Sequence, residues 1–264
     1  MKETETIRNH NEGETLEELF GSRLRVIQPA KGYRFSVDAI LLASFFRERP
    51  ESHILEIGPG CGIISLILAT RNQSIRITGI EIQDDLAELA RRNAVINGLQ
   101  NRIAVETGDI RRIVPHFPPA AFDAVLFNPP YRRIASGKIN PNRQKAVARH
   151  EIKGSFAEFL HSARRVLKAG GSAVFIYPAP RTVEAVSTMR REKIEPKRMR
   201  MVHSYPDTEA RFILMEGVKD GGEELRILPP LHIYKEGKTY TPEMQNILRS
   251  FRYGDPDSGT ESPD

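Results

Sequence analysis

Phe122-Asp123-Ala124-Val125-Leu126-Phe127 runs directly into Asn128-Pro129-Pro130-Tyr131, and that junction leaves the chain few choices. The apolar run has the length of a buried strand, and Asn and Pro mark its end. Two consecutive prolines lack amide hydrogens, so they can neither extend a ladder nor open a helix as donors. They also hold Asn128 in an extended backbone. The product is a stiff strand-end turn that presents an amide side chain, a backbone carbonyl and an aromatic ring. In open α/β sheets, ligands sit at the carboxyl ends of strands. Asn128, Pro129 and Tyr131 then form either a rigid loop or a site.

Upstream, the pattern is strand, turn, helix, repeated. His53–Ile57 is predicted as a strand, followed by Gly58-Pro59-Gly60-Cys61-Gly62 and an apolar helix from Ile63 to Ala69. Glycines allow a sharp turn and a close approach of backbone to ligand. The spacing is Gly-x-Gly-x-Gly, not the Gly-x-Gly-x-x-Gly favoured by dinucleotides. Glu56, two residues before the loop, disfavours a phosphate there and favours a neutral or zwitterionic ligand. A second strand, Ile75 to Ile80, ends in Glu81, about twenty residues past the glycines, where a carboxylate can take both hydroxyls of a ribose. Asp84 to Asn97 reads as an amphipathic helix closed by Gly98. A third strand, Ile103 to Glu106, leads to Asp109 and Ile110. Asp109 can accept from an adenine amino group or cap the next turn, and the two roles are compatible.

The flanks are less informative. Residues 1–13 are polar and lack apolar periodicity, which predicts disorder. Thr15 reads as a cap for a short helix to Leu19, with Glu18 completing a capping box. Leu24 to Pro29 is expected to be extended. Ser36 is a cap for an apolar helix to about Phe46; Phe35 and Tyr33 then plug the core, or Phe35 to Asp38 form a lid over a ligand. Beyond the central turn, Arg132, Arg133, Lys138, Arg143, Lys145 and Arg149 occur with no acidic residue before Glu151. A long loop at a catalytic end favours a contact to a nucleic-acid backbone over inert surface. Phe156 to Leu167 is predicted as a helix, Ser172 to Tyr177 as a buried strand, and Arg181 to Arg191 as a polar helix. Met199 to His203 and Arg211 to Val218 read as an antiparallel pair, and Leu228 to Tyr234 as a short apolar extension. The tail from 251 to 264 is polar and expected to be disordered.

Composition narrows the class. A chain of 264 residues can bury one large α/β core. The balance of 39 Lys and Arg against 34 Asp and Glu permits a polyanionic partner without demanding one. The single cysteine, Cys61, excludes an internal disulfide and a cysteine-cluster metal site, and no metal is expected. No apolar run reaches membrane-spanning length and no signal-peptide pattern opens the chain, so a cytoplasmic protein is expected.

Glu56 to Gly62, Glu81, Asp109 and Asn128 to Tyr131 resemble, in order and spacing, the class I S-adenosylmethionine-dependent amino-methyltransferases. Phe35-Ser36-Val37-Asp38 with Leu41-Leu42, Ala148 to Glu151 and Leu228 to Leu231 resemble more narrowly the bacterial tRNA(Val) adenine-37-N6 methyltransferase group. Many of its members carry Gly-Thr-Asp at the first of these segments. The resemblance implies a Rossmann-like class I methyltransferase fold: a mostly parallel seven-stranded sheet with an antiparallel edge hairpin and helices on both faces. It implies one domain over 24–250, after an N-terminal tail (1–23), with S-adenosylmethionine held by Phe35, Asp38, Glu56, Gly58, Gly60, Gly62, Glu81, Ile82, Asp109, Ile110 and Asn128. The implied substrate is an exocyclic amino group, adenine N6 in the anticodon loop of a tRNA, with Asn128, Pro129 and Tyr131 as the catalytic residues and the basic loop on the RNA. Protein glutamine N5-methylation and guanine N2-methylation of ribosomal RNA are the alternatives.

Overall fold

The computed structural model describes residues 11–31, 34–129 and 154–251, the side chains of 114 and 115 excepted. Tyr33, Tyr131 and all six lysines and arginines of the basic loop, Arg132 to Arg149, lie outside the described residues, as do residues 1–10 and 252–264.

The repeated strand–helix alternation builds the centre of the molecule. β3 (His53–Ile57), β4 (Arg76–Glu81), β5 (Ile103–Thr107), β6 (Phe122–Phe127) and β7 (Leu167–Pro178) pair in parallel, with α2 (Ile63–Arg71) and α3 (Asp84–Ile96) as crossovers. β8 (Ile194–His203) and β9 (Ala210–Lys219) form the expected antiparallel hairpin, and β9 lies against β7. The order of the seven long strands is β5-β4-β3-β6-β7-β9-β8. Two strands of two residues, β10 (Arg226–Ile227) and β11 (Leu231–His232), run parallel to β8 and extend the sheet to nine strands. They occupy part of the edge that β8 would otherwise offer to another chain.

A parallel sheet must be covered on both faces. One face carries α2, α3 and α1 (Val37–Phe45), in a cluster that includes Leu41, Leu66 and Leu126. The other carries α4 (Ile113–His116), α5 (Phe156–Val166) and α6 (Thr182–Arg191), in a cluster centred on Phe127, Phe175 and Tyr177. Phe127 stacks on Phe175 with centroids 5.2 Å apart and meets Phe159 at 5.4 Å. Such pairs add roughly 0.5–1.5 kcal/mol each beyond their burial. They fix the last residue of β6 just before the Asn-Pro turn.

At the N-terminus the sequence expectation fails. Glu14–Leu19 is a strand, β1, paired antiparallel with β2 (Leu24–Pro29), not a helix capped by Thr15. Phe20, Gly21 and Ser22, all at positive φ, make the turn. The hairpin is held from outside: the Asn93 side chain accepts from the Ile27 N–H (2.7 Å) and donates to the Ile27 and Cys61 carbonyls (2.9 Å each). This ladder and clamp outweigh a marginal five-residue helix. At the other end, α7 (Pro242–Ser250) was not anticipated. Thr241 caps it through the Met244 N–H, with Pro242 in its first turn.

Candidate functional site

The strand registers bring the marked residues to one level. Ile57 of β3 pairs with Ile80 of β4 and with Phe127 of β6, so Gly58, Glu81 and Asn128 each stand one residue further at the same end. Chain order reverses direction between β3 and β6, which makes this a switch point where α/β sheets open a crevice. A cavity open to solvent lies there. Its walls include Gly58, Gly60, Glu81, Ile82, Asp109, Ile110 and Asn128. These seven of the anticipated cofactor residues come together. The sequence reading missed Ile57, Ile80, Gln83, Leu86 and Phe159, which also line it. Leu86 and Phe159 belong to apolar helix stripes, whose periodicity says "core" and nothing of a cavity.

The glycine loop is built for close approach. Gly58, Gly60 and Gly62 all have positive φ, at 69°, 59° and 83°. A Cβ on Gly58 would meet no protein atom within 4 Å, so its backbone is open to a ligand. The Gly58 N–H donates to the Ile80 carbonyl (2.9 Å), and the Gly108 N–H to that of Glu81 (2.9 Å), which ties three strand ends together.

Glu81 is buried, yet its carboxylate accepts from the Gly60 N–H (3.1 Å) and the Gln83 N–H (3.0 Å). Two carboxylate oxygens offer about four lone-pair sites, so acceptor capacity remains for ligand hydroxyls. Asp109 does cap the next turn, accepting from the Arg111 N–H at 2.9 Å. The Arg111 guanidinium grips both its oxygens at 2.6–2.9 Å, and holds the carboxyl below its ordinary range. Asn128 is half-buried at the wall and Pro129 is buried behind it.

Four anticipated residues are not on this wall. Glu56 is buried and faces α2, where Ser65 donates from its backbone N–H (3.0 Å) and from its hydroxyl. Burial, opposed by those two bonds and reinforced by Glu81, raises its pKa to about 7. Gly62 caps α2, with Ala90 Cβ only 3.3 Å from where its own Cβ would be. Phe35 is half-buried against the core, its N–H donating to Gln28 Oε1 (3.0 Å). Asp38, in the first turn of α1, has its pKa raised by burial, offset in part by a bond from Ser36 and the charge of Arg211. Cys61 is buried and its thiol is pushed up to about 12, so it is not a nucleophile. No group of three or more His, Cys, Asp or Glu able to hold a metal occurs among the described residues. No helix among them is long and apolar enough to cross a membrane.

The profile of the Methyltransferase small domain matches residues 34–193, a span that contains the whole cavity wall. A tRNA1(Val) (adenine(37)-N6)-methyltransferase from Porphyromonas gingivalis is 30% identical over 200 residues, covering 74% of this chain and 78% of that one. A protein of the same name from Phocaeicola vulgatus is 31% identical over 183 residues, covering 69% and 75%. Among solved structures, a predicted O-methyltransferase from Agrobacterium tumefaciens has a TM-score of 0.67 at 23% identity, covering 81% and 96%. A glycine backbone open to a ligand and a buried carboxylate, with no lysine or arginine among the described residues of the cavity wall, agree with a nucleoside-bearing zwitterion. The chain thus belongs to the methyltransferase small-domain family, and it is an S-adenosylmethionine-dependent methyltransferase.

Proposed function

We propose that this enzyme methylates the exocyclic N6 of an adenine in the anticodon loop of a tRNA, in the cytoplasm. The observation that carries the reading is Asn128 at the wall of the glycine-loop cavity, followed at once by Pro129. The names of the two relatives at 30–31% identity support the choice of base and RNA. S-adenosylmethionine, when bound, supplies an electrophilic methyl carbon on a positively charged sulfur.

The residues of the chain have the following parts. Glu81 takes the ribose hydroxyls and Asp109 the cofactor's adenine amino group. Gly58, Gly60, Ile82 and Ile110 shape the nucleoside site. Phe35 and Asp38 cover the methionine end, while Glu56 and Gly62 hold the loop in form from behind. An adenine amino nitrogen is a poor nucleophile because its lone pair is delocalised into the ring. Asn128 Oδ1 and the Pro129 carbonyl accept its two N–H hydrogens and turn the lone pair toward the methyl carbon. Methyl transfer would form the nitrogen–carbon bond at the expense of the cofactor's carbon–sulfur bond, and the surplus proton would leave the nitrogen for water. Tyr131 stacks on the extruded base, worth roughly 1–3 kcal/mol. Positioning in line carries most of the rate. Arg132, Arg133, Lys138, Arg143, Lys145 and Arg149 contact the RNA backbone.

Nucleoside mass spectrometry of tRNA from a deletion strain and its parent tests the reading. Loss of N6-methyladenosine from one tRNA is expected. Unchanged tRNA, with methylation of a protein glutamine or of ribosomal guanine by the purified enzyme, overturns it.

A further inference from the structure

A second concavity adjoins the cofactor cavity across a shared wall. The 3₁₀ turn Ile110–Arg112 and helix α5 form that wall, joined by a hydrogen bond from Ser162 Oγ to the Ile110 carbonyl (2.7 Å). Ile110 and Phe159 face the cofactor side. Arg111, Arg112, Glu158, His161 and Arg165 line the other.

We infer that this groove holds phosphodiesters of the substrate RNA, with Arg112 and Arg165 as the principal contacts; the inference rests on the RNA reading above. The pairing pattern is the argument. Both acidic residues of the groove keep their charge but are held by other groups, and neither forms an ion pair with Arg112 or Arg165. Glu158 closes a capping box on the Ser155 N–H (2.6 Å), and Glu192 pairs with His161 (3.1 Å). Arg111 is committed to Asp109, although its side chain remains 42% exposed. Arg112 and Arg165 are exposed, and neither has a carboxylate within ion-pair distance among the described residues. Nearby arginines are different: Arg164, Arg181 and Arg190 each have an acidic partner. Two unmatched guanidiniums in one concavity suit the planar, multidentate demand of a phosphate oxygen pair. Placement supplies the rest. An extruded base that reaches Asn128 leaves its own strand just outside the cavity, and single strands follow basic grooves beside the pocket that takes the base. The Asp109–Arg111 pair lies in the partition between the two sites, which sets the groove within reach of the reaction centre.

The test uses the full-length enzyme and unfractionated bacterial tRNA. Arg112→Ala with Arg165→Ala is compared with the parent, with the double lysine replacement, and with Arg76→Ala plus Lys168→Ala at the opposite end of the sheet. The groove variant is expected to raise KM for tRNA and to lower the salt slope of binding by roughly 0.7–0.9 per lost contact. Calorimetric affinity for S-adenosylhomocysteine should stay at the parent value, as should the tRNA binding of the distal pair, and the double lysine variant should keep most of the slope. If the groove variant keeps the parent's KM and slope while the parent methylates tRNA, the groove is not an RNA site and the proposed function stands. If the parent methylates no RNA, both readings fall.

Discussion

Glu56 is a buried carboxyl whose ionisation should be visible in the stability of the enzyme. Its folded-state pKa of about 7 lies above the ordinary 4.5, because desolvation outweighs the two bonds from Ser65. Below pH 4.5 the group is protonated in both the folded and the unfolded chain and contributes nothing to the pH dependence. Between 4.5 and 7 the folded chain keeps a proton that the unfolded chain has released. Stability therefore falls as pH rises through this window, and stays lower above it. At about 1.4 kcal/mol per pH unit, the full loss is on the order of 3 kcal/mol. Glu56→Gln removes the titration and keeps a carbonyl to accept from Ser65. Its new amide hydrogens add a cost of their own, but that cost does not vary with pH. The assay is urea unfolding of the ligand-free enzyme at closely spaced pH values, followed by far-UV circular dichroism because the chain has no tryptophan. The difference between parent and variant isolates Glu56 from every other titrating group. The variant should gain on the parent steadily from pH 4.5 to 7 and hold a constant difference above that. Parallel curves through this window would refute the account.

Asn128→Ala should lower the single-turnover methyl-transfer rate on tRNA about a hundredfold, as loss of a pre-organised polar contact does, in a protein that still folds. Glu81→Ala should weaken S-adenosylhomocysteine binding by on the order of 2–3 kcal/mol in calorimetry; unchanged affinity in a folded variant would remove Glu81 from the ribose. Tyr131→Phe should be close to neutral and Tyr131→Ala should raise KM for tRNA, since stacking needs the ring and not the hydroxyl. Gly62→Ala should destabilise the fold by roughly 1–2 kcal/mol in urea, because it combines positive φ with Ala90 at 3.3 Å.

The parallel core could be read from the sequence because each strand there is a short apolar run with a breaker at its end. The marked residues Gly58, Glu81 and Asn128 are also the strand-end residues, so finding the strands found the cavity. What escaped notice depends on partners distant in sequence. β1 carries a capping pattern at Thr15 and Glu18, and only pairing with β2 and the Asn93 clamp, 66 positions from Ile27, decide against a helix. Glu56, two residues before the glycine loop, reads from the sequence as a group that disfavours a phosphate ligand. Ser65, nine positions on, donates to it from the first turn of α2. Arg111 on Asp109 left a signal two residues away, as a basic side chain beside a capping acid. The Thr-Pro-Glu start of α7 is equally local.

The position of β9 between β7 and β8 has a consequence for a chain made from its N-terminus. β8 leaves the ribosome before the strand that will join it to the sheet. Until Ala210 and the residues after it emerge, β8 has no long neighbour, and its open amides and carbonyls are a template for unwanted pairing. Among the described residues the walls of the cavity end at Phe159, so all of that lining has been synthesised by then. Vectorial synthesis thus delivers the binding site first and the closure of the sheet last.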